Sequence, residues 1–297
     1  MMSMDLVGKL MAVTCAMLWG LAIVFFKRSG ESMSPSVLTL YKTFITAILF
    51  IPILFLVDPV PEGSVMATED VVILCVSGIL GIALADTLIF KCLNMVGAGL
   101  FGIIDSLYSP ILIATSCLWL QTSLETKEIL GTCLVVSAVL IATVKMSANE
   151  ERHPQLVLGI LIGALGMASM AISIIQMKPI LDRMSVWWVT EIRLVASGLV
   201  LAVMVLLKGK WTQFTSALRS RETLKHALPG TLIGNFLAMT IWIAAFKFTD
   251  VHAAAILNQT STIFIVIFAS LLLKEPFTLR RTSATLLAFS GAVIVIL

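Results

Sequence analysis

The sequence predicts an all-α membrane protein in which ten transmembrane helices form two inverted-topology repeats of five helices. Three observations lead to this prediction. The chain of 297 residues is 59% hydrophobic and only 12% charged, whereas about a quarter of a soluble domain is charged. Its apolar runs are about 20 residues long, the length that crosses the ~30 Å hydrocarbon core of a bilayer. One pattern of residues also recurs at an offset of 151–152 positions.

The apolar runs divide the chain into ten predicted spans, joined by short loops except at 58–70 and 208–225. Backbone polar groups within lipid need partners in their own segment, so each run is predicted to be a helix. The spans are 6–26, 36–57, 71–90, 98–120, 128–144, 156–177, 186–207, 226–245, 251–273 and 280–297. The first is long enough to be an anchor rather than a removable signal peptide. Residues 1–147 and 154–297 are expected to be the two repeats of one integral membrane unit.

The internal repeat determines the predicted architecture. The residues that recur at the constant offset are Gly8 and Gly159, Lys27 and Lys178, Lys42 and Arg193, and Gly78 and Gly230. Because five is an odd number of spans, the second repeat must cross the membrane upside down relative to the first. Inverted repeats of this kind place a solute path near the middle of the bilayer, between the halves. Chance alignment of two apolar stretches is the alternative, and one unchanging offset over five spans counts against it.

Short motifs within several spans and at their ends are typical of one family. They are Leu18-Trp19-Gly20, Arg193, the run Ala253–Leu257, the stretch Leu271–Glu275 and Gly291. On these residues the chain resembles the EamA-like branch of the drug/metabolite transporter superfamily over nearly its whole length. The resemblance implies a multi-pass protein of the cell (inner or plasma) membrane, with efflux of a metabolite or an amino acid as the expected activity.

Three positions depart from the family pattern. Lys274 precedes Glu275 where the family usually has glycine. The first repeat has Ser123 at the position of Glu275, and Thr262 is the counterpart of Pro110. None of these differences affects the predicted fold, but they limit what the resemblance says about the substrate.

Polar and aromatic side chains inside the spans predict a substrate site. An ionisable group in lipid costs roughly 3 kcal/mol or more, so it usually faces the bundle interior or a wet cavity. We expect a site at mid-depth between the repeats, formed by Trp19, Asp86, Asp105, Tyr108, Ser109, Asn235, Trp242, Asn258 and Gln259. Pro110 supports this position, because a proline removes a helical hydrogen bond and frees a carbonyl beside Asp105. The fifth and tenth spans are uniformly small and aliphatic, which is typical of packing or dimer contacts.

The charged candidates each have a structural interpretation as well. Asp86 and Asp105 would then be partners of Lys42 or of another cation. Lys42, Glu191 and Arg193 lie near the predicted starts of their spans, so snorkelling to the interface is the alternative to a structural or coupling role inside the bundle. In the same way, the deep amides would hold helices together instead of binding substrate, and the tryptophans would belong to an interfacial belt.

The leading functional interpretation is a secondary transporter that moves small organic solutes by alternating access, and not an enzyme. Burial favours the protonated form of an unpaired carboxyl, so Asp86 or Asp105 would let a proton act as coupling ion. If both carboxyls were instead paired with cations, no ion would be coupled to transport and the protein would be a facilitator. A non-transporting receptor or scaffold is the first alternative; an intramembrane enzyme, which needs a catalytic pair such as two facing aspartates, is the second. No motif predicts a cofactor, a metal site or a nucleic-acid partner, and we expect a monomer or a homodimer.

Charge distribution and family resemblance predict opposite orientations. Without Lys42 and Arg193, five Lys and Arg lie on the face that holds the termini, and thirteen lie on the opposite face. The positive-inside rule then places both termini outside, whereas the resemblance implies that both are inside. We give the resemblance slightly more weight, because repeats with an odd number of spans often carry a weak charge bias.

Overall fold

The computed structural model describes residues 4–56, 66–120, 154–275 and 279–296, together with separate helical residues between 126 and 141. Throughout these residues the regular secondary structure is helical, without a strand. The long helices in the described part are α1 (Met4–Ser29), α2 (Pro35–Leu56), α3 (Thr68–Val96), α4 (Ala98–Asp105 and Tyr108–Leu120), α5 (Pro154–Leu181), α6 (Val186–Leu207), α7 (Ala227–Phe248), α8 (Val251–Asn258 and Ser261–Leu273) and α9 (Leu279–Ile296). Two short helices, Trp211–Ala217 and Arg221–Lys225, connect α6 to α7.

Helices α1 to α7 are each long and apolar enough to cross a membrane. The prediction of an all-helical, multi-pass membrane protein is therefore confirmed. Several helices extend past the predicted spans, because the spans are bounded by apolar residues and the helices continue into charged ones. The last turn of α1, for example, contains Lys27 and Arg28, where cations suit the negative end of the helix dipole. Most of the predicted span 128–144 lies outside the described residues, so the count of ten spans stays a prediction.

The two repeats, called the first and second copies below, share the same two irregularities. The segment Ile79–Leu84 of α3 and the segment Thr231–Ala238 of α7 are π-helical, and they begin 152 positions apart. Helices α4 and α8 are interrupted after Asp105 and after Asn258, which are 153 positions apart. Hydrogen bonds between residues three apart bridge both interruptions, which makes each a tight turn of the 3₁₀ type. The internal repeat is thus present in local structure as well as in sequence.

Pro110 does not produce the interruption of α4, contrary to the expectation that it removes a helical hydrogen bond there. This proline is the third residue of the segment that follows the break. The first N–H groups of a helix have no intrahelical partner, so a proline in the first turn removes nothing. The equivalent break in α8 exists with Thr262 as the counterpart of the proline. The turn therefore belongs to the repeated unit, and the proline is tolerated there.

The two copies pack against each other reciprocally. Helix α1 packs on α7 and α8 of the second copy, and its counterpart α5 packs on α3 and α4 of the first. Helices α2 and α6, which are also counterparts, pack on each other. Two equivalent glycines permit close approach: a Cβ on Gly8 would lie 2.8 Å from Thr249 Cβ, and one on Gly159 would lie 2.7 Å from Val96 Cγ1. Such reciprocity is what a two-fold relation between like units produces.

The starts of α4 and α8 are capped in different ways. The Glu275 carboxylate, which belongs to the second copy, accepts hydrogen bonds from the N–H groups of Ala98 at 2.8 Å and Gly99 at 2.9 Å. A carboxylate at this position also suits the positive end of the helix dipole. At the start of α8, the Asp250 carboxylate of the same copy accepts from the N–H of Ala253 at 3.3 Å. The start of α4 is thus capped by a residue of the other copy, whereas the start of α8 is capped by a residue of its own copy.

Lys274 has a strained backbone. Its φ of 57° lies in the left-handed region, and no other non-glycine residue of the described chain has a positive φ. This conformation ends α8 and turns the chain toward the Glu275 cap. It favours glycine, which is the residue that the family usually has at this position.

The outer surface is apolar, whereas the interior is partly polar. Large aliphatic side chains such as Leu118, Leu207 and Leu279 are exposed, which suits contact with lipid. Arg193 is the largest fully buried side chain among the described residues, and Lys42 is buried to the same extent, with 2% of each residue exposed. Two cationic side chains therefore lie inside the helix bundle, out of contact with lipid.

Candidate functional site

A cavity of about 80 Å³ lies between the two copies. Its lining residues come from α1 to α4 of the first copy and from α5 to α8 of the second. At roughly 10–15 Å³ of such volume for each water molecule, it has room for several waters or for part of a small solute. Helix α9 contributes none of the described lining residues.

The two helix breaks meet at this cavity. Asp105 ends the first segment of α4, and Tyr108 begins the second. In the second copy, Asn258 ends the first segment of α8, Gln259 lies in the turn, and Ser261 begins the next segment. All five residues line the cavity, and Ser261 Oγ donates a hydrogen bond of 3.1 Å to Asp105 Oδ2. The interruptions thus point polar side chains from both copies at one another.

Most of the residues predicted for the substrate site line the cavity. The lining contains Trp19, Asp86, Asp105, Tyr108, Asn235, Trp242, Asn258 and Gln259. Ser109, the ninth predicted residue, is buried beside Tyr108 but is not among the lining residues. The structure therefore brings together eight of the nine residues, and their role in binding substrate stays a prediction.

Lys42 is held in a buried network. Its ammonium donates to Asp86 Oδ2 at 2.6 Å and to Asn235 Oδ1 at 2.5 Å. The Asn235 amide in turn donates to Thr46 Oγ1 at 2.8 Å. This network joins α2 and α3 of the first copy to α7 of the second. The alternative in which Lys42 snorkels to the interface does not fit this position, whereas the expected structural pairing of Asp86 with Lys42 does.

Arg193 also faces the cavity, but its hydrogen-bond partners are neutral. Its Nη2 donates to Ser173 Oγ at 2.8 Å, and its Nη1 donates to Met177 Sδ at 2.9 Å. A Cβ on Gly81 would lie 2.9 Å from Arg193 Nη2 and 2.1 Å from Ser173 Oγ. The glycine in the π-helical segment of α3 therefore makes room for the guanidinium, and snorkelling does not fit this residue either.

Several buried polar atoms at the cavity have no hydrogen-bond partner among the described residues. They are Arg193 Nε, Tyr108 Oη, Trp242 Nε1 and Asn258 Oδ1. The great majority of buried polar atoms in proteins are hydrogen-bonded, so such a cluster needs an explanation. A polar solute or ordered water in the cavity would satisfy these atoms. The aromatic rings of Tyr108 and Trp242, whose centroids are 5.8 Å apart, add an apolar surface from each copy.

Glu191, the third charge expected to have a structural or coupling role, lies away from the cavity. It is buried on α6, it is not among the lining residues, and its Oε2 has no partner in the described part of the chain. We find no group of His, Cys, Asp and Glu among the described residues that could hold a metal ion.

Sequence reasoning missed the contribution of α5. Met167 and Met170 line the cavity, and Ser173 positions Arg193. Ser169 Oγ donates to the carbonyl of Leu80 at 2.8 Å, within the π-helical segment of α3. Serines four residues apart on an apolar helix lie on one face, and this spacing is the signal that could have identified α5 as part of the site.

The helix bundle and its enclosed polar cavity define a multi-pass membrane protein built from two copies of one unit. A model of the EamA-like transporter family matches residues 6–144 and again residues 157–297. The chain therefore belongs to the EamA-like transporter family, contains two copies of its unit, and is a membrane transporter.

The chain is also similar in sequence to two proteins named as transporters, and similar in fold to a solved structure. The "Uncharacterized transporter YvbV" of Bacillus subtilis (strain 168) is 26% identical over 224 residues, which cover 74% of this chain and 70% of the relative. An "Uncharacterized transporter" of Archaeoglobus fulgidus is 21% identical over 271 residues, which cover 91% of both chains. A solved crystal structure shares the fold, with a TM-score of 0.71, 15% sequence identity and coverage of 98% of each chain.

Proposed function

We propose that this protein is a secondary transporter that moves a small organic solute by alternating access, with the cavity as its central binding site. The partnerless polar atoms at the cavity are the observation that carries the proposal, because both copies supply them at the place where they meet. Transporters built from inverted repeats bind their solutes at such an interface, near the middle of the membrane. The two relatives named as transporters are consistent with this role.

Flux and thiol accessibility together test the cavity as the binding site. A screen of metabolites and amino acids for uptake and counterflow in proteoliposomes would first identify a transported solute. In a variant without native cysteines, single cysteines at Trp242 and Asn258 should react with water-borne reagents, and the solute should protect them. A cysteine at Leu118, on the lipid-facing surface, is the matched control and should stay unreactive. Cavity positions that stay inert while flux continues would refute the assignment of the site.

The membrane arrangement we propose is ten spans in two inverted repeats, residues 1–147 and 154–297, in the cell membrane. Reciprocal packing supports a two-fold relation, and an odd number of spans in each repeat makes that relation an inversion. Glu31 and Asp182 are exposed residues in equivalent connections, 151 positions apart. Cysteines at these two positions should react from opposite faces of the membrane. Reaction of both from one face would contradict the inverted arrangement.

A proton is the coupling ion we propose, and Asp105 is its carrier. Asp86 is engaged by the Lys42 ammonium at 2.6 Å, whereas Asp105 accepts from the neutral hydroxyl of Ser261. Binding and release of a proton therefore break no ion pair at Asp105. Asp105→Asn should abolish accumulation driven by a pH gradient while solute counterflow continues. Accumulation that survives the substitution would contradict the role of Asp105. We propose export as the direction, following the family resemblance.

The rival interpretations differ from transport in what they require. An intramembrane enzyme that used two facing aspartates as its catalytic pair would need Asp86 and Asp105 free to act together, but Asp86 is paired with Lys42 and Asp105 accepts a hydrogen bond from Ser261. A receptor or scaffold would bind a solute without moving it. Solute binding to the purified protein without flux in sealed proteoliposomes would therefore favour a receptor over a transporter.

A further inference from the structure

The cavity lining contains two cations, Lys42 on α2 and Arg193 on α6. Lys42 forms an ion pair with Asp86 of α3. Arg193 donates hydrogen bonds to a hydroxyl and a thioether, and no ion pair within the described residues includes it. The second carboxyl of the lining, Asp105, lies at the break of α4 and accepts a hydrogen bond from Ser261 of α8.

A buried cation without a counter-ion is strongly unfavourable, so a transported solute is the natural source of the missing negative charge. Each Nη of Arg193 carries two hydrogens, and the contacts with Ser173 and Met177 use one on each nitrogen. The Nε hydrogen also has no partner in the described chain. The guanidinium therefore keeps several donors in the planar arrangement that matches the two oxygens of a carboxylate.

The surroundings of Arg193 fit an acceptor-rich, singly charged group. Tyr108 Oη and Trp242 Nε1 are further donors at the cavity without partners among the described residues. A phosphate monoester carries nearly two negative charges at neutral pH, whereas Arg193 is a single cation that forms no ion pair within the described residues. A carboxylate has one charge and four lone-pair positions, so it matches both the charge and the donors.

We propose that the solute carries a carboxylate and that Arg193 binds it. This inference rests on the proposed transport function, because it concerns the same cavity. Gly81 and the π-helical segment of α3 open the space for the guanidinium, and Ser173 holds its orientation. Arg193 is then the residue that distinguishes an organic acid from a neutral molecule of the same shape.

Matched pairs of acids and primary amides test this inference directly. The probes are phenylacetate with phenylacetamide and 4-methylpentanoate with 4-methylpentanamide, titrated against the purified full-length protein in detergent with thermal stability as the readout. A hydrogen-bonded charge lost from a buried site changes affinity by roughly 10- to 100-fold, so we expect each acid to bind at least ~10-fold more tightly than its amide. Equal binding of acid and amide, or no stabilisation by either acid, would overturn the inference.

Three variants separate charge recognition from loss of folding. Arg193→Gln should remove the preference for the acids, whereas Arg193→Lys, which keeps the charge, should retain part of it even if the glutamine variant is unstable. The double variant Lys178→Gln/Asp182→Asn removes a cation and an anion together at an ion pair that does not line the cavity, and it should keep the preference. An undiminished preference in Arg193→Gln would refute the assignment to Arg193.

The outcomes also distinguish this inference from the proposed function. Arg193-dependent binding of acids without flux in sealed proteoliposomes would refute transport and leave the carboxylate site standing. Flux of neutral amides that does not depend on Arg193 would support transport and refute the carboxylate site.

Discussion

The buried pair of Lys42 and Asp86 makes the sharpest prediction about stability. Asp86→Leu would leave the Lys42 ammonium, which is 2% exposed, with the neutral oxygen of Asn235 as its remaining acceptor. Removing one partner of a buried ion pair destabilises a protein by about 3–5 kcal/mol. The guanidinium of Arg193 would also lose its electrostatic attraction to Asp86, so we expect the upper part of this range.

The double variant Lys42→Met/Asp86→Leu should be much less destabilised than the sum of the two single variants. Apolar side chains of similar volume often replace a buried ion pair at little cost. The oxygen of Asn235 would lose its donor, which costs about 1–3 kcal/mol. A coupling free energy of about 3 kcal/mol or more is therefore expected between the two sites.

Equilibrium unfolding in detergent micelles, followed by tryptophan fluorescence, would measure this cycle. Lys178 and Asp182 form an ion pair at the surface, four residues apart, and are the matched control. Asp182→Asn should change stability by less than about 1 kcal/mol, because exposed ion pairs contribute little. Additive effects of the two buried substitutions would show that Lys42 and Asp86 do not act as a unit, and would refute the reasoning.

Three smaller perturbations test features of the fold, the first two by thermal unfolding of the purified protein and the third by solute flux. Glu275→Ala removes a charged acceptor from two backbone amides at the start of α4 and should destabilise by about 1–3 kcal/mol; an unchanged melting temperature would contradict the capping role. Lys274→Gly relieves a left-handed backbone conformation and should stabilise by about 1 kcal/mol, so a destabilised variant would be the adverse result. Gly81→Ala places a Cβ 2.1 Å from Ser173 Oγ and should impair solute flux, whereas Gly198→Ala, whose Cβ would meet its nearest neighbour at 3.7 Å, is the harmless control. Equal flux in the two alanine variants would remove the reason for a glycine at position 81.

The location of the site could be predicted because lipid makes deep polar groups conspicuous. Asp86 and Asp105 stand out in apolar runs, and charge inside a membrane protein has to face the interior. The repeat could be predicted for a similar reason, since Lys42 and Arg193 recur at a constant offset. Eight of the nine predicted side chains consequently lie at one cavity.

The details of the site depend on backbone irregularities that leave little trace in composition. The π-helical segments of α3 and α7 are such irregularities, and so are the breaks of α4 and α8, of which the second occurs without a proline at the position of Pro110. The pairing of Lys42 with Asn235 joins residues 193 positions apart, and no local pattern records such a contact. Ser173 could not be recognised on its own, because a single serine in an apolar helix gives no indication that it binds a distant arginine.

The different caps of α4 and α8 have a consequence for the energetics of the alternating-access cycle that we propose. In two identical inverted repeats, the motions that open either face of the membrane would be mirror processes of equal free energy. Here, separation of the end of α8 from the start of α4 must break two charge-assisted hydrogen bonds of Glu275, whereas the Asp250 cap moves together with its own helix. The first repeat has Ser123 where the second has Glu275, so this pair of bonds has no acidic counterpart. In the alternating-access cycle that we propose, the conformation that keeps Glu275 bonded to the start of α4 would therefore be favoured over the other, whether or not an ion gradient is present.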